Sequence, residues 1–263
     1  MPIKNVEKYF FRMLRANYLM TMDYYQLPEL KKRKELFRAF STKEAGNFVA
    51  GSKVDDEAVK KRANWLKQFD IDFAKVITLP LTGGSDVLVI KSRDQKFSKK
   101  FDSAITKIKD IYFVMIIADC LPVIIYDPKV EVLGFAHAGW RGINGNILGK
   151  TIDEMVKTYG VLPQDLIVGI GPAIHKDSYI RDKTFREEIS AELNKFVFDF
   201  GKDKVKVDLI SAAVDQLVSC GIDRNNIELS GQDTFSKNYF SHHRSALKKE
   251  LDGRNMAVVG MRS

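Results

Sequence analysis

The sequence predicts an α+β protein with mixed β-sheets. Two observations carry this. Three apolar runs, residues 111–117, 122–126 and 130–136, follow one another with hairpin-length links such as Asp127-Pro128-Lys129, so neighbouring strands need not run parallel. Helical periodicity flanks the three runs on both sides, and strands and helices alternate irregularly rather than in a strict βαβ rhythm.

The elements follow in order. The first 36 residues read as helical or mixed, an N-terminal extension packed on a single domain over 37–263, since no repeat, low-complexity tract or proline-rich linker divides the chain. Leu36 to Ser41 reads as a short strand leading into Thr42-Lys43-Glu44-Ala45-Gly46. Asp55 to Phe69 reads as a helix, with Val59, Ala63 and Leu66 on one face and Asp55 and Asp56 suited to its start. Strands are expected over 76–79 and 87–90 around the turn Thr82-Gly83-Gly84-Ser85, with a charged loop over 91–100. After the three central strands, Asn144 to Tyr159 reads as one amphipathic helix closed by Gly160 as its C-cap. Leu166 to Ile170 is a further buried strand, then helices are expected over 184–200 and 208–220, and strands over 227–229 and 256–261.

Composition bounds the function. The chain of 263 residues is 45% hydrophobic and 29% charged, as in an ordinary globular protein. No apolar stretch approaches the roughly 20 residues that cross a bilayer, and no secretory leader is visible at the start. The two cysteines, Cys120 and Cys220, imply no disulfide framework and fit a reducing, cytoplasmic setting. A net charge of +8 would suit an anionic ligand, but the basic residues are scattered among acids. Even Lys31-Lys32-Arg33-Lys34 sits beside Glu29 and Glu35 and reads as a solvated face, which argues against nucleic acid as the partner.

The chemistry concentrates in 111–148. The first apolar run ends in Ala118-Asp119-Cys120, and the third ends at His137 before Ala138-Gly139-Trp140-Arg141-Gly142. With the first and third strands alongside each other, Cys120 and His137 would meet. A thiolate and a neutral imidazole are both zinc ligands; an imidazole beside a thiol also makes a nucleophile. Either residue alone reads better as a buried core side chain; together, flanked by Asp119 and the glycine turn, they read as a site. Asp119 serves equally as a partner for His137 or Arg141 or as a local turn cap. Gly139 and Gly142 frame a helix start suited to an anion, and Arg141 adds a bidentate donor. Gly169-Ile170-Gly171-Pro172 reads either as a close backbone approach to a ligand or as a plain turn. His242 and His243 sit at an aromatic strand end, where adjacent side chains point to opposite faces. Four histidines, His137, His175, His242 and His243, with no His-x-His pair, argue against a copper redox centre.

These residues resemble the laccase-domain family, whose members carry the labels multicopper polyphenol oxidase and peptidoglycan editing factor and are viewed mainly as purine nucleoside phosphorylases with a zinc site. The resemblance rests on Ala118-Asp119-Cys120-Leu121-Pro122-Val123, Ala136-His137-Ala138-Gly139-Trp140-Arg141-Gly142, Ile170-Gly171-Pro172-Ala173-Ile174 and Phe101-Asp102-Ser103-Ala104-Ile105-Thr106. Phe40-Ser41-Thr42-Lys43, and Phe240-Ser241 with Arg244 and Gly253-Arg254, are similar to its opening and closing motifs. It implies a layered α/β sandwich with mixed sheets. It also implies catalysis by Cys120, His137 and Asp119, and phosphate binding by Arg141, Lys43, Gly139 and Gly142. Zinc would be held by Cys120, His137 and a histidine that here is Thr82, a poor zinc ligand. Further departures are Lys43 for an arginine, His175 for a glycine, Ser178 for a cysteine and His243 for an arginine. The implied reaction is phosphorolysis of a purine nucleoside. The rival readings are a metal-independent Cys-His hydrolase or deamidase and a non-catalytic, ligand-binding descendant.

Overall fold

The computed structural model describes residues 23–49 and 56–263. Its strands in chain order are β1 (Tyr24–Tyr25), β2 (Leu36–Ser41), β3 (Val76–Thr78), β4 (Val87–Ile90), β5 (Ser103–Thr106), β6 (Tyr112–Ile117), β7 (Leu121–Asp127), β8 (Val132–Ala138), β9 (Ile167–Ile170), β10 (Ile180–Asp182), β11 (Val197–Phe200), β12 (Lys204–Val207), β13 (Ile227–Leu229) and β14 (Asn255–Met261). They form three sheets, ordered β1-β2-β14-β6-β3, β13-β9-β7-β8-β5-β4 and β10-β12-β11. The two larger sheets are mixed: β3 runs parallel to β6 while β14 is antiparallel to it, and β4 runs parallel to β5 while β8 is antiparallel to it. The mixed α/β class predicted from the sequence is the one observed.

Period-two patterning explains the layers. In β7, Ile124 and Tyr126 pack with Leu133 and Phe135 of β8 against Phe113, Met115, Ala257 and Val259 of the five-stranded sheet. The alternate residues Val123 and Ile125 face the other way, onto Ile147, Leu148, Ile152 and Met155 of the helix Ile147–Tyr159 and Ala213 and Leu217 of the helix Leu209–Ser219. The outer face of the five-stranded sheet, with Val114 and Val258, is covered by Trp65 and Leu66 of the helix Asp56–Lys67. Both faces of the central strands are therefore buried, which is why they read as unbroken apolar runs.

Residues 23–36 belong to this packing: Tyr24 and Tyr25 pair with β2, and Tyr25, Leu27 and Leu30 are buried between the sheets. The helical reading of 1–22, and Asp55 as a helix start, lie outside the described residues. Gly160 closes its helix at φ +69, as its position predicts.

Four expectations are corrected. The run over 111–117 becomes β6 of one sheet, whereas the run ending at His137 becomes β8 of the other, so the two are not neighbours. Asn146, held at φ +58, breaks the expected single helix into Trp140–Asn144 and Ile147–Tyr159; asparagine tolerates that left-handed region better than most residues. The expected helix over 184–200 is a 3₁₀ turn over Lys183–Glu188, one short helix over Ala191–Asn194 and then β11. Val197 to Phe200 finds a hairpin partner in Lys204–Val207 across Gly201, at φ +71, and pairing outweighs helical propensity. His242 and His243 open the helix His242–Lys248 rather than ending a strand, because Ser241 accepts a hydrogen bond from the Arg244 N–H at 3.0 Å and caps it.

Candidate active site

Register alone assembles the centre of the site. In the β5–β8 pair Ser103 faces Ala136, which sets Asp102 beside His137, and the His137 N–H donates to the Asp102 carbonyl at 2.7 Å. In the β7–β8 pair Leu121 faces Ala138, which brings Cys120 level with Gly139. A Cβ on Gly139 would stand 3.0 Å from Cys120 Sγ and 3.7 Å from His137 Nε2. Glycine at this position is what lets the thiol and the ring share one space, and the Cys120 side chain is hydrogen-bonded to His137.

Asp102 is the orienting carboxylate. Fully buried, it lies with Oδ1 2.9 Å from His137 Nδ1. The Thr82 hydroxyl donates to Oδ2 at 2.5 Å, and the Gly83 and Gly84 N–H groups donate at 2.8 and 2.9 Å. Burial alone would raise its pKa, but the hydrogen bonds from His137, Thr82, Gly83 and Gly84 hold it well below the usual carboxylate range. An anionic Asp102 fixes the proton of His137 on Nδ1 and turns Nε2 to the thiol. Burial disfavours the charged ring of His137. Charge interaction with Cys120 and the hydrogen bonds with Asp102 and Cys120 outweigh that penalty and push its pKa up to about 9.

Cys120, His137, Gly139 and Arg141 all line one cavity of about 600 Å³, a volume suited to a nucleoside-sized ligand. Arg141 is exposed and stacks on Trp140, its guanidinium carbon 4.1 Å from the ring centroid. Arg181, Tyr179 and Leu209 line the same cavity, as do His242 and His243. His242 is exposed and lies 3.0 Å from Asp252. His243 is half-buried, edge-on to Tyr179 with ring centroids 5.4 Å apart, and burial lowers its pKa.

Other predicted site residues do different work. Asp119 also borders the cavity, but its carboxylate accepts from the Thr234 hydroxyl at 2.8 Å and the His243 N–H at 2.7 Å, so it organises the walls while Asp102 holds His137. Lys43 is not among the residues lining this cavity; its ammonium sits 5.6 Å over the Phe240 ring. Gly142 backs onto the Gly84 carbonyl, 3.0 Å from where its Cβ would be. The close approach at Gly171 is to Phe40, whose ring would be 2.3 Å from a Cβ there, so that turn serves sheet packing. His175 faces a separate cavity of about 300 Å³. Sequence reasoning assigned no role to Asp102, Tyr179 or Arg181.

For a metal the donors fall short. Among the described residues no group of three or more His, Cys, Asp or Glu side chains is placed to hold one. Thr82, at the position the resemblance gives to a third ligand, spends its hydroxyl on Asp102. Cys120 and His137 alone do not fit a zinc centre with three protein ligands, nor do they make a copper redox site.

Residues 38–262 match the family model described as multi-copper polyphenol oxidoreductase laccase. The chain belongs to this family. Among relatives of this laccase-family chain, the purine nucleoside phosphorylase YlmD of Bacillus subtilis is 26% identical over 275 residues, spanning 96% of this chain and 97% of its own. A purine nucleoside phosphorylase of Staphylococcus epidermidis is 34% identical over 155 residues, 57% of this chain and 56% of its own. The crystal structure of the Bacillus licheniformis hypothetical protein YfiH superposes with a TM-score of 0.81 at 22% identity, covering 93% of this chain and 98% of that one. YlmD from Geobacillus stearothermophilus superposes at 0.79, also with 22% identity, over 92% and 97%. Both likenesses establish the shared fold. No helix among the described residues is long and apolar enough to cross a membrane.

Proposed function

We propose that this laccase-family chain cleaves purine nucleosides with phosphate, giving the free base and ribose 1-phosphate. The observation that carries this is a carboxylate-held imidazole and a ring-stacked guanidinium, His137 and Arg141, lining one cavity. The names of the relatives point the same way. In phosphorolysis the C1′–N bond breaks with its electron pair going to the base, and a phosphate oxygen bonds to C1′. Arg141 binds the attacking phosphate. His137, protonated at neutral pH and backed by Asp102, gives its proton to the departing purine nitrogen. The sulfur of Cys120 lines the same cavity and turns its electron density to the positive charge that grows on the ribose. Replacing Arg141→Ala should raise the apparent phosphate KM at least tenfold or abolish turnover; an unchanged phosphate dependence would remove Arg141 from this role.

Asp102 supports a second reading. Cys120, His137 and Asp102 make a thiol–imidazole–carboxylate relay of the kind that activates a nucleophile for hydrolysis or deamination. Such an enzyme loses activity on alkylation of Cys120, is indifferent to chelators and turns over without phosphate. Strict phosphate dependence would discard it.

A further inference from the structure

Arg181 is a second guanidinium in the cavity, and phosphorolysis of a neutral nucleoside gives it no task. It lies in β10, 4.5 Å from the Phe185 ring centroid and 5.9 Å from that of Trp140, and it donates to the Tyr179 hydroxyl at 3.0 Å. Trp140 is also the ring on which Arg141 stacks. One indole therefore carries two cations beside the thiol and imidazole. Two guanidiniums over one ring favour an anion that both can reach.

The acids of the cavity do not meet that demand. Asp182 is paired with Lys204 at 2.5 Å, and Asp119 is occupied by Thr234 and His243. Glu188 comes only within 3.8 Å of Arg181 and is about half exposed, so that pair is weak and readily exchanged for a better anion. The packing of Arg181 between Phe185 and Tyr179 holds its fork in a fixed place, which favours a planar, bidentate anion such as phosphate.

We propose that the substrate brings this second anion: it is a purine nucleoside 5′-monophosphate, Arg181 binding its own phosphate while Arg141 binds the attacking one. This rests on the phosphorolysis reading, keeps its bond chemistry and makes the nucleotide rather than the nucleoside the preferred substrate. Phosphates on C1′ and C5′ of one ribose are a sugar ring apart, and the two guanidiniums lie 4.1 and 5.9 Å from one indole centroid. The step balances without oxidant or reductant: the C1′–N bond breaks, the base leaves with the electron pair and takes up a proton, and orthophosphate oxygen forms the new C1′–O bond. The products are the purine base and ribose 1,5-bisphosphate.

The test compares inosine 5′-monophosphate with inosine, and adenosine 5′-monophosphate with adenosine, on the full chain and on Arg181→Gln, which keeps most of the packing stem. Circular dichroism and thermal melts establish that the variant is folded; Arg181→Lys, which keeps the charge without the fork, is the companion if it is not. Thermal stabilisation by ribose 5-phosphate alone reports the subsite without turnover. The expected result is a kcat/KM at least tenfold higher for the monophosphates. Arg181→Gln should lower the ratio of kcat/KM for monophosphate to that for nucleoside roughly 10- to 100-fold, the worth of hydrogen bonds to a charged group. Nucleosides used as well as monophosphates, or a variant that lowers both alike, would overturn the proposal. Stabilisation by ribose 5-phosphate that Arg181→Gln removes, with no turnover of either substrate class, would uphold the anion subsite and overturn phosphorolysis. Neither stabilisation nor turnover would overturn both.

Discussion

Asp102 and His137 lie 35 positions apart in sequence, yet the β5–β8 register sets them side by side and joins them twice, through the backbone at 2.7 Å and through the side chains at 2.9 Å. The backbone link fixes the two residues side by side, and the side-chain link sets the angle of the ring. Asp102→Asn keeps the shape but turns one oxygen into an N–H₂, which meets donors whether it replaces Oδ1, beside His137 and Gly83, or Oδ2, beside Thr82 and Gly84. It should cost about 2–3 kcal/mol in urea unfolding and roughly 10- to 100-fold in turnover. A folded variant with unchanged kcat would show that His137 is oriented by something else.

Thr82, where the family resemblance puts a third metal ligand, is tied to Asp102 instead. Thr82→His should raise zinc affinity at least tenfold over the parent, measured by competition with a chromophoric chelator, and the gain should vanish when Cys120→Ala is added. Equal zinc affinity in parent and variant would mean that the missing histidine is not what limits metal binding.

Gly139 has φ −77 and ψ 171, a conformation that alanine adopts freely, so a substitution there tests space rather than backbone strain. In Gly139→Ala the new methyl group meets Cys120 Sγ at 3.0 Å. Overpacking of this kind costs about 1–3 kcal/mol. Alkylation of Cys120 by iodoacetamide should change several-fold, with Cys220, half-buried elsewhere, as the internal reference. Unaltered labelling of Cys120 would place the thiol farther from Gly139.

His137 makes stability depend on pH in a defined direction. Its pKa rises from the ordinary 6.5 to about 9 on folding. The folded state therefore binds the proton more tightly than the unfolded chain. This stabilisation is fully present below about 6.5 and is lost as pH climbs through about 9. Denaturant midpoints measured from pH 6 to pH 10 should fall across that window, and Cys120→Ala, which removes the group that raises the pKa of the ring most, should flatten the fall. A midpoint that climbs with pH would reverse the sign of the linkage.

Much of this was legible in the residues, and the failures are instructive. Runs such as Val123 to Tyr126 announce buried strands because both faces are covered. The same property hides which sheet they join. The stretch over 111–117 looks like a partner for the strand ending at His137, and only the crossover through Ala118-Asp119-Cys120 carries the chain from one sheet to the other. Cys120 and His137 meet through β7 instead. Asp102 gave one signal, a lone acid between Phe101 and the apolar start of β5. Its importance depends on a strand pairing that no local spacing encodes. Arg181 sits in a polar stretch like any surface arginine until Trp140 and Phe185 are folded around it. Lys43 shows the converse: a matching position in a motif, carried by the fold to Phe240.

Asp119 stands at φ +73, on the sheet-to-sheet crossover next to Cys120. Its carbonyl receives the Ile174 N–H at 2.9 Å, and its carboxylate receives Thr234 and the first turn of the helix that carries His243. Three walls that arise from distant stretches of chain are thus riveted at one residue. A pocket fastened in this way has a width set before any ligand arrives. It selects by fit and charge at entry, as a gauge does, and leaves little selection to closing around its guest.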